Sequence, residues 1–303
     1  MINQSIILAT VTGTFGQRMQ IRTDTGADVS ARLKGKRLRP VCGDRVSVEP
    51  LENESEWLIT GILDRHNELS RPDSRGRTEV LAANLELVLV MGAVMPEPDW
   101  FVIDRYLAAA ENMPAEAAVV FNKIDIERNG HEAEEALAEY RRCGYVVVRC
   151  SALDGEGLEE LESLIDDRVS IIVGQSGVGK SSVINRIVSH AELRTSEISA
   201  STGEGRHTTV NSVMLSLPSG GSVIDSPGVR DYAPAIDNVE GAIRGYREIN
   251  EFGQNCRFAN CRHLREPDCA VKSAVDAGDI SSRRYESYRR LVNLIRQLTE
   301  RSY

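Results

Sequence analysis

The sequence predicts a multidomain protein with an OB-like β-barrel at the N-terminus, a central α/β domain and a mainly α C-terminal domain. Three observations carry that prediction. Short apolar or alternating runs separated by turn residues fill the first 66 residues; strands and helices alternate from Leu85 onward; and from Ala233 the chain reads helical around a cluster of cysteines and a histidine. A length of 303 residues suits two or three domains, with expected boundaries at 1–66, 67–232 and 233–303.

In the first unit, Ile6–Phe15, Met19–Thr23, Ala27–Leu33, Arg45–Glu49 and Trp57–Leu63 read as strands, and five short strands in that length suggest a small closed barrel. In the second, strands are expected at Leu85–Val94, Ala117–Phe121, Tyr145–Cys150, Val169–Val173, Val210–Leu217 and Ser222–Ile224. Helices are expected at Trp100–Asn112, Glu132–Arg142, Leu158–Ile165 and Lys180–Val188, an alternation that builds a mainly parallel sheet covered on both faces. In the third, Ser281–Arg301 reads as an amphipathic helix. Tyr285, Tyr288, Leu291, Ile295 and Leu298 form its apolar stripe, with Arg283, Arg284, Arg289, Arg290 and Arg296 expected elsewhere on its surface.

Charge is unevenly spread. The whole chain carries a net −9, which taken alone argues against nucleic-acid binding. Residues 67–232 alone carry −12, whereas the first and last units carry +1 and +2. Five cations crowd the segment Arg32–Arg39, either as a solvated barrel loop or as a nucleic-acid contact. The most apolar stretch, Leu85–Met95, is too short to span a bilayer, and the N-terminus lacks the pattern of an export signal. A cytoplasmic protein without membrane contact is expected.

Gly174-Gln175-Ser176-Gly177-Val178-Gly179-Lys180-Ser181 fits G-x-x-x-x-G-K-[ST] between an expected strand and an expected helix. Its glycines let backbone N–H groups wrap phosphates, Lys180 reaches the β/γ oxygens and the Ser181 hydroxyl can ligate Mg²⁺. Asn122-Lys123-Ile124-Asp125 follows another strand. A carboxylate at Asp125 can accept from both N1–H and the N2 amine of guanine, a pair that adenine lacks. Asn122 can tie this loop to the phosphate loop or to the base, and Lys123 can lie along the ring face. Ser151-Ala152 ends the next strand, where the Ala152 N–H is the best candidate to meet guanine O6. The nucleotide is therefore GTP or GDP.

Asp225-Ser226-Pro227-Gly228 places a carboxylate for Mg²⁺ at a strand end and the Gly228 N–H where a γ-phosphate can meet it. One of Thr208 and Thr209 is expected to sense Mg²⁺ and γ-phosphate. Val229 stands where Ras-like enzymes place a water-orienting glutamine, so slow intrinsic hydrolysis is expected, with His207 the nearest polar candidate for a catalytic role. Cys256-x4-Cys261-x-His263-x5-Cys269 offers a closed Cys₃His set suited to one structural Zn²⁺.

A Ras-like domain runs from phosphate loop through threonine loop, D-x-x-G and N-K-x-D to S-A. Here the same cycle opens at N-K-x-D, so Asp225–Gly228 leads directly into the C-terminal unit. Nucleotide state could thereby reposition that unit.

With the barrel, Asn122–Asp125, Gly174–Ser182, Asp225–Gly228 and the Cys256/Cys261/His263/Cys269 module in this order, the chain resembles the circularly permuted GTPases of late small-subunit maturation. The resemblance covers nearly the whole chain. It implies a circularly permuted P-loop GTPase domain, binding to the small ribosomal subunit and its 16S-type rRNA, hydrolysis stimulated by that subunit, and release afterwards. It adds Ser182 to the phosphate-loop residues and weight to His207 through the Gly-Arg-His-Thr-Thr loop, and a monomer is expected. Some relatives carry a basic tail ahead of the barrel, whereas this chain begins almost at its first strand. The competing reading is an RNA-binding assembly scaffold in which guanine nucleotide only regulates affinity; a third is a GTPase acting on a non-ribosomal nucleic acid.

Overall fold

The computed structural model describes residues 7–35, 37–51, 56–72, 77–127, 131–188, 212–217, 220–225, 236 and 238–301. Five strands close the N-terminal barrel: β1 (Ile7–Phe15), β2 (Arg18–Thr23), β3 (Asp28–Leu33), β4 (Arg45–Pro50) and β5 (Trp57–Ile62). They pair in the order β1-β2-β3-β5-β4, and β4 returns to β1. Alternation sends Ala9, Val11, Met19, Ile21, Ala31, Val46, Val48 and Ile59 into its core. A hairpin of β6 (Glu68–Pro72) and β7 (Thr78–Ala83) follows, which the sequence reading did not anticipate.

The central sheet runs β10-β9-β8-β11-β13-β12 through β8 (Leu87–Ala93), β9 (Glu116–Asn122), β10 (Val146–Arg149), β11 (Val169–Gly174), β12 (Ser212–Ser216) and β13 (Ser222–Asp225). Only β12 runs antiparallel to its sheet neighbour β13, the other pairs being parallel. Every residue of β8 is buried, as expected for a strand covered on both faces. One face is covered by α1 (Trp100–Ala110) and α2 (His131–Arg142), the other by α3 (Leu158–Ile165) and α4 (Lys180–Ile187). From β8 the chain steps outward to β9 and β10, then returns to β11 on the opposite side of β8. That reversal opens a crevice at the carboxyl ends of β8 and β11, where ligands of such sheets bind.

Strand β1 belongs to both units. Ile7–Thr10 pairs with β4 and closes the barrel; then the β1–β2 register shifts between Val11 and Gly13, and Gly13 and Thr14 pair with Val213 and Ser212 of β12. The bulge bends the strand out of one sheet and into the other, so the described strands outside the hairpin form one continuous sheet.

The C-terminal unit consists of α5 (Val239–Arg244), α6 (Arg247–Gly253), α7 (Ala270–Ala277) and α8 (Ser282–Arg301). Tyr288, Leu291 and Ile295 of the predicted stripe are buried and Tyr285 and Leu298 partly so, and Val292, outside that stripe, is buried with them. Arg284 is not on the surface: its side chain is 1% exposed. Its guanidinium donates to Glu248 at 2.8 and 3.0 Å and to Asp104 of α1 at 2.7 Å. Arg283 donates to Asp104 and to Glu139 of α2. A cationic face on α8 therefore rests on Arg289, Arg290 and Arg296, which are exposed. No helix among the described residues is long and apolar enough to cross a membrane.

Candidate guanine-nucleotide and zinc sites

The phosphate loop leaves the carboxyl end of β11 and enters α4 with Gly174, Gly177 and Gly179 at positive φ. Side chains could not replace two of these glycines: a Cβ at Gly174 would strike the Met91 carbonyl, and one at Gly179 the Asn122 amide. Lys180 Nζ donates to the carbonyls of Gly174 and Gln175, both at 2.8 Å. Val178 is buried against the sheet, while Ser176, Ser181 and Ser182 are exposed. Gln175 Oε1 accepts from the Asp99 N–H that precedes α1 (3.4 Å), and Pro96 lies beside Gly177. The sequence reading did not single out this Val94–Asp99 loop, whose contact with the phosphate loop depends on two strand ends meeting.

The base-side loops close on the same crevice. Asn122 Nδ2 donates to the Val178 carbonyl at 2.9 Å, so of the two roles open to Asn122 the tie to the phosphate loop is formed here. Lys123, at φ +64°, donates to the Gly177 carbonyl at 2.7 Å. Ser151 Oγ donates to Asp125 Oδ1 at 2.7 Å and accepts from the N–H groups of Leu153 and Asp154. That fixes one carboxylate oxygen of an otherwise exposed Asp125. Ala152 N–H donates to Asn122 Oδ1 at 3.1 Å, so a guanine O6 would share or take over that donor.

Asp225 ends β13, one strand from the phosphate-loop strand. Burial pushes its carboxyl above the usual range, and the Lys180 charge pulls it back. A half-buried carboxylate at this strand end suits a divalent cation, and Asp225 with the exposed Ser181 hydroxyl would hold Mg²⁺. His207, Thr208, Thr209 and Gly228 lie outside the described residues.

In the C-terminal unit the donor atoms of Cys256, Cys261, His263 and Cys269 all lie within 4.8 Å of one another. Cys256 Sγ is 3.8 Å from Cys269 Sγ, and His263 Nδ1 is 3.4 and 3.5 Å from those two sulfurs. A tetrahedron with Zn–S of about 2.3 Å has S···S edges of about 3.8 Å, so the donor set fits zinc. Burial raises the Cys261 thiol to about 12 and lowers His263, keeping the imidazole neutral; a divalent cation would reverse the thiol shift.

The family model of the RsgA GTPase matches residues 62–234, more than half the chain. The chain belongs to the RsgA GTPase family. A small ribosomal subunit biogenesis GTPase RsgA from Shewanella oneidensis is 39% identical over 290 residues, covering 93% of this chain and 82% of that one. The crystal structure of YjeQ from Thermotoga maritima superposes with a TM-score of 0.75 at 30% identity, covering 96% of this chain and 99% of its own. The crystal structure of YloQ, a circularly permuted GTPase, agrees in fold (TM-score 0.75, 23% identity, 98% and 97% covered). As an RsgA GTPase, the protein hydrolyses GTP to GDP and uses Mg²⁺, on a permuted domain between a barrel and a helical Cys/His unit.

Proposed function

We propose that this GTPase acts in late maturation of the small ribosomal subunit, binding the subunit and its 16S-type rRNA and hydrolysing GTP faster when bound. The name carried by its relatives supports the subunit as partner. The observation within the chain that carries the RNA reading is charge segregation: −12 lies between residues 67 and 232, while Lys34 and Arg37 of the barrel and Arg289, Arg290 and Arg296 of α8 are exposed. Cations presented on the two flanks are what phosphate contacts require. The protein works as a monomer in the cytoplasm, with 1–66, 67–232 and 233–303 as its functional units.

In the nucleotide site, Gly174–Ser182 holds the phosphates, Lys180 neutralises the β/γ oxygens, and Ser181 with Asp225 holds Mg²⁺. Asp125 reads guanine, Lys123 covers the ring, and Asn122, Ser151 and Ala152 complete the base pocket. Bound Mg²⁺ supplies charge neutralisation for the leaving phosphate oxygens. Thr208 or Thr209 and the Gly228 N–H meet the γ-phosphate, and His207 supplies the polar group that Val229 cannot. Cys256, Cys261, His263 and Cys269 hold one structural Zn²⁺.

GTP turnover with and without purified small subunits tests the reading. Marked stimulation is expected, and its absence would reduce the protein to a nucleotide-regulated scaffold. Cosedimentation of the GTP-analogue complex with neither subunit would instead point to a non-ribosomal nucleic acid. Atomic absorption should find about one zinc per chain; finding none would remove the structural metal.

A further inference from the structure

One row of residues crosses the sheet from the barrel to the nucleotide crevice. Gly13 of β1 pairs with Val213 of β12, Val213 pairs with Asp225 of β13, and Asp225 pairs with Ile172 of β11. The carboxylate assigned to Mg²⁺ thus stands two strands from the barrel. Among the described residues Gly13 and Thr14 make the β1–β12 pairing, and barrel side chains reinforce it at both ends of β12. At one end the Ser212 N–H donates to Thr14 Oγ1 (3.4 Å), and the Ser212 carbonyl accepts from the Cys42 thiol (3.1 Å). At the other, the Arg22 guanidinium donates to Ser216 Oγ while its other nitrogens hold Asp28. Ser212 and Cys42 are buried, so little water competes for these bonds.

In sequence, Ser212 also lies three residues beyond Thr209, so β12 connects the threonine loop to the row that holds Asp225. We propose that Arg22, Thr14 and Cys42 are positioning residues for GTP hydrolysis. Barrel contacts set the position of β12, β12 sets Asp225, and subunit binding at the barrel stimulates hydrolysis by this route. The inference rests on the Mg²⁺ assignment of Asp225 and on the barrel as a subunit-binding element. For nucleotide binding the coupling is reciprocal: a barrel whose position changes the relative affinity for GTP and GDP must itself be biased by which of them is bound, whether or not a subunit is present.

The test uses the full chain with Arg22→Met, Ser216→Ala, the double variant and Arg22→Lys. Amide hydrogen exchange over Val11–Phe15 is compared between GDP and a non-hydrolysable GTP analogue, without subunits. The wild type should differ by about fivefold or more between nucleotides, the lower end of ordinary coupling. Each single variant should shrink that ratio, the double variant no further than either single one, and Arg22→Lys should recover part of it. With small subunits, Arg22→Met should lose most of the stimulation while subunit affinity holds. Equal exchange with both nucleotides in the wild type would overturn the inference. So would normal stimulation in Arg22→Met, or a loss of its subunit affinity, which would make Arg22 an RNA contact. A wild type that shows the exchange difference but no stimulation would break the proposed function and leave the β1–β12 coupling standing.

Discussion

The GTPase domain is joined to its two neighbours by seams of opposite chemistry. Among the described residues the barrel seam is mainly main-chain: two residue pairs between β1 and β12, with polar side chains at each end of β12, and a Cys42–Ala82 bridge to β7. The C-terminal seam is ionic and buried. Arg284 meets Glu248 and Asp104, Tyr140 Oη donates to the same Asp104 oxygen at 2.7 Å, and the Arg284 guanidinium lies over the rings of Tyr140 and Tyr246. Close packing continues beside it, since a Cβ at Gly245 would fall 2.6 Å from that of Ala108. A ladder fixes register and costs little to perturb at one side chain. A buried charge network tolerates no single deletion, because each lost partner strands another charge. The barrel seam is built to transmit small displacements, and the C-terminal seam to hold a unit in place.

The sharpest way to break this contrast is at the metal. Cys269→Ser, or zinc removal by a chelator, should unfold the C-terminal unit, since structural zinc contributes about 10 kcal/mol or more of apparent binding energy. Circular dichroism should lose the helicity of α5–α8 while GTP binding survives; full retention of that helicity would show that the ionic seam suffices without metal. Next, Arg284→Ala should lower the urea-unfolding free energy by about 3–5 kcal/mol, leaving Asp104 and Glu248 buried without their cation. Arg22→Met at the other seam should cost below about 1 kcal/mol, as expected for a half-exposed polar contact. If the two arginine variants proved equally costly, the contrast would fail.

The smallest expected effect concerns pH. The folded-state pKa of Asp225 is raised by burial above that of the unfolded chain. Its protonated form therefore favours folding, and without Mg²⁺ and nucleotide this contribution is present at low pH and declines as pH rises from the ordinary aspartate range through the folded value. Asp225→Asn should flatten that part of the urea-midpoint profile, and an unchanged profile would refute the assignment.

The barrel was legible because each strand alternates between core and solvent and ends at turn residues. Leu158–Ile165 was legible to its last residue, and the nucleotide motifs were legible because a ligand dictates their spacing. Arg284 was misread because Glu248 and Asp104 lie 36 and 180 residues away; beside Arg283, Arg289, Arg290 and Arg296, it looks like one more surface cation. The β6–β7 hairpin went unnoticed because its strands are short and carry Glu68, Arg71 and Glu79. The β1–β12 pairing has no side-chain signature, since backbone groups make the ladder and only a register shift near Gly13 redirects the strand.

That register shift also bears on solubility. Without the barrel, β12 would be the open edge of the central sheet, with unpaired N–H and C=O groups facing solvent. A chain trimmed to begin at residue 67 would expose this edge to other copies of itself and should self-associate by strand addition. The barrel thus serves as a cap against aggregation, and a barrel-free GTPase domain would need a charged or proline-bearing β12 to stay dispersed.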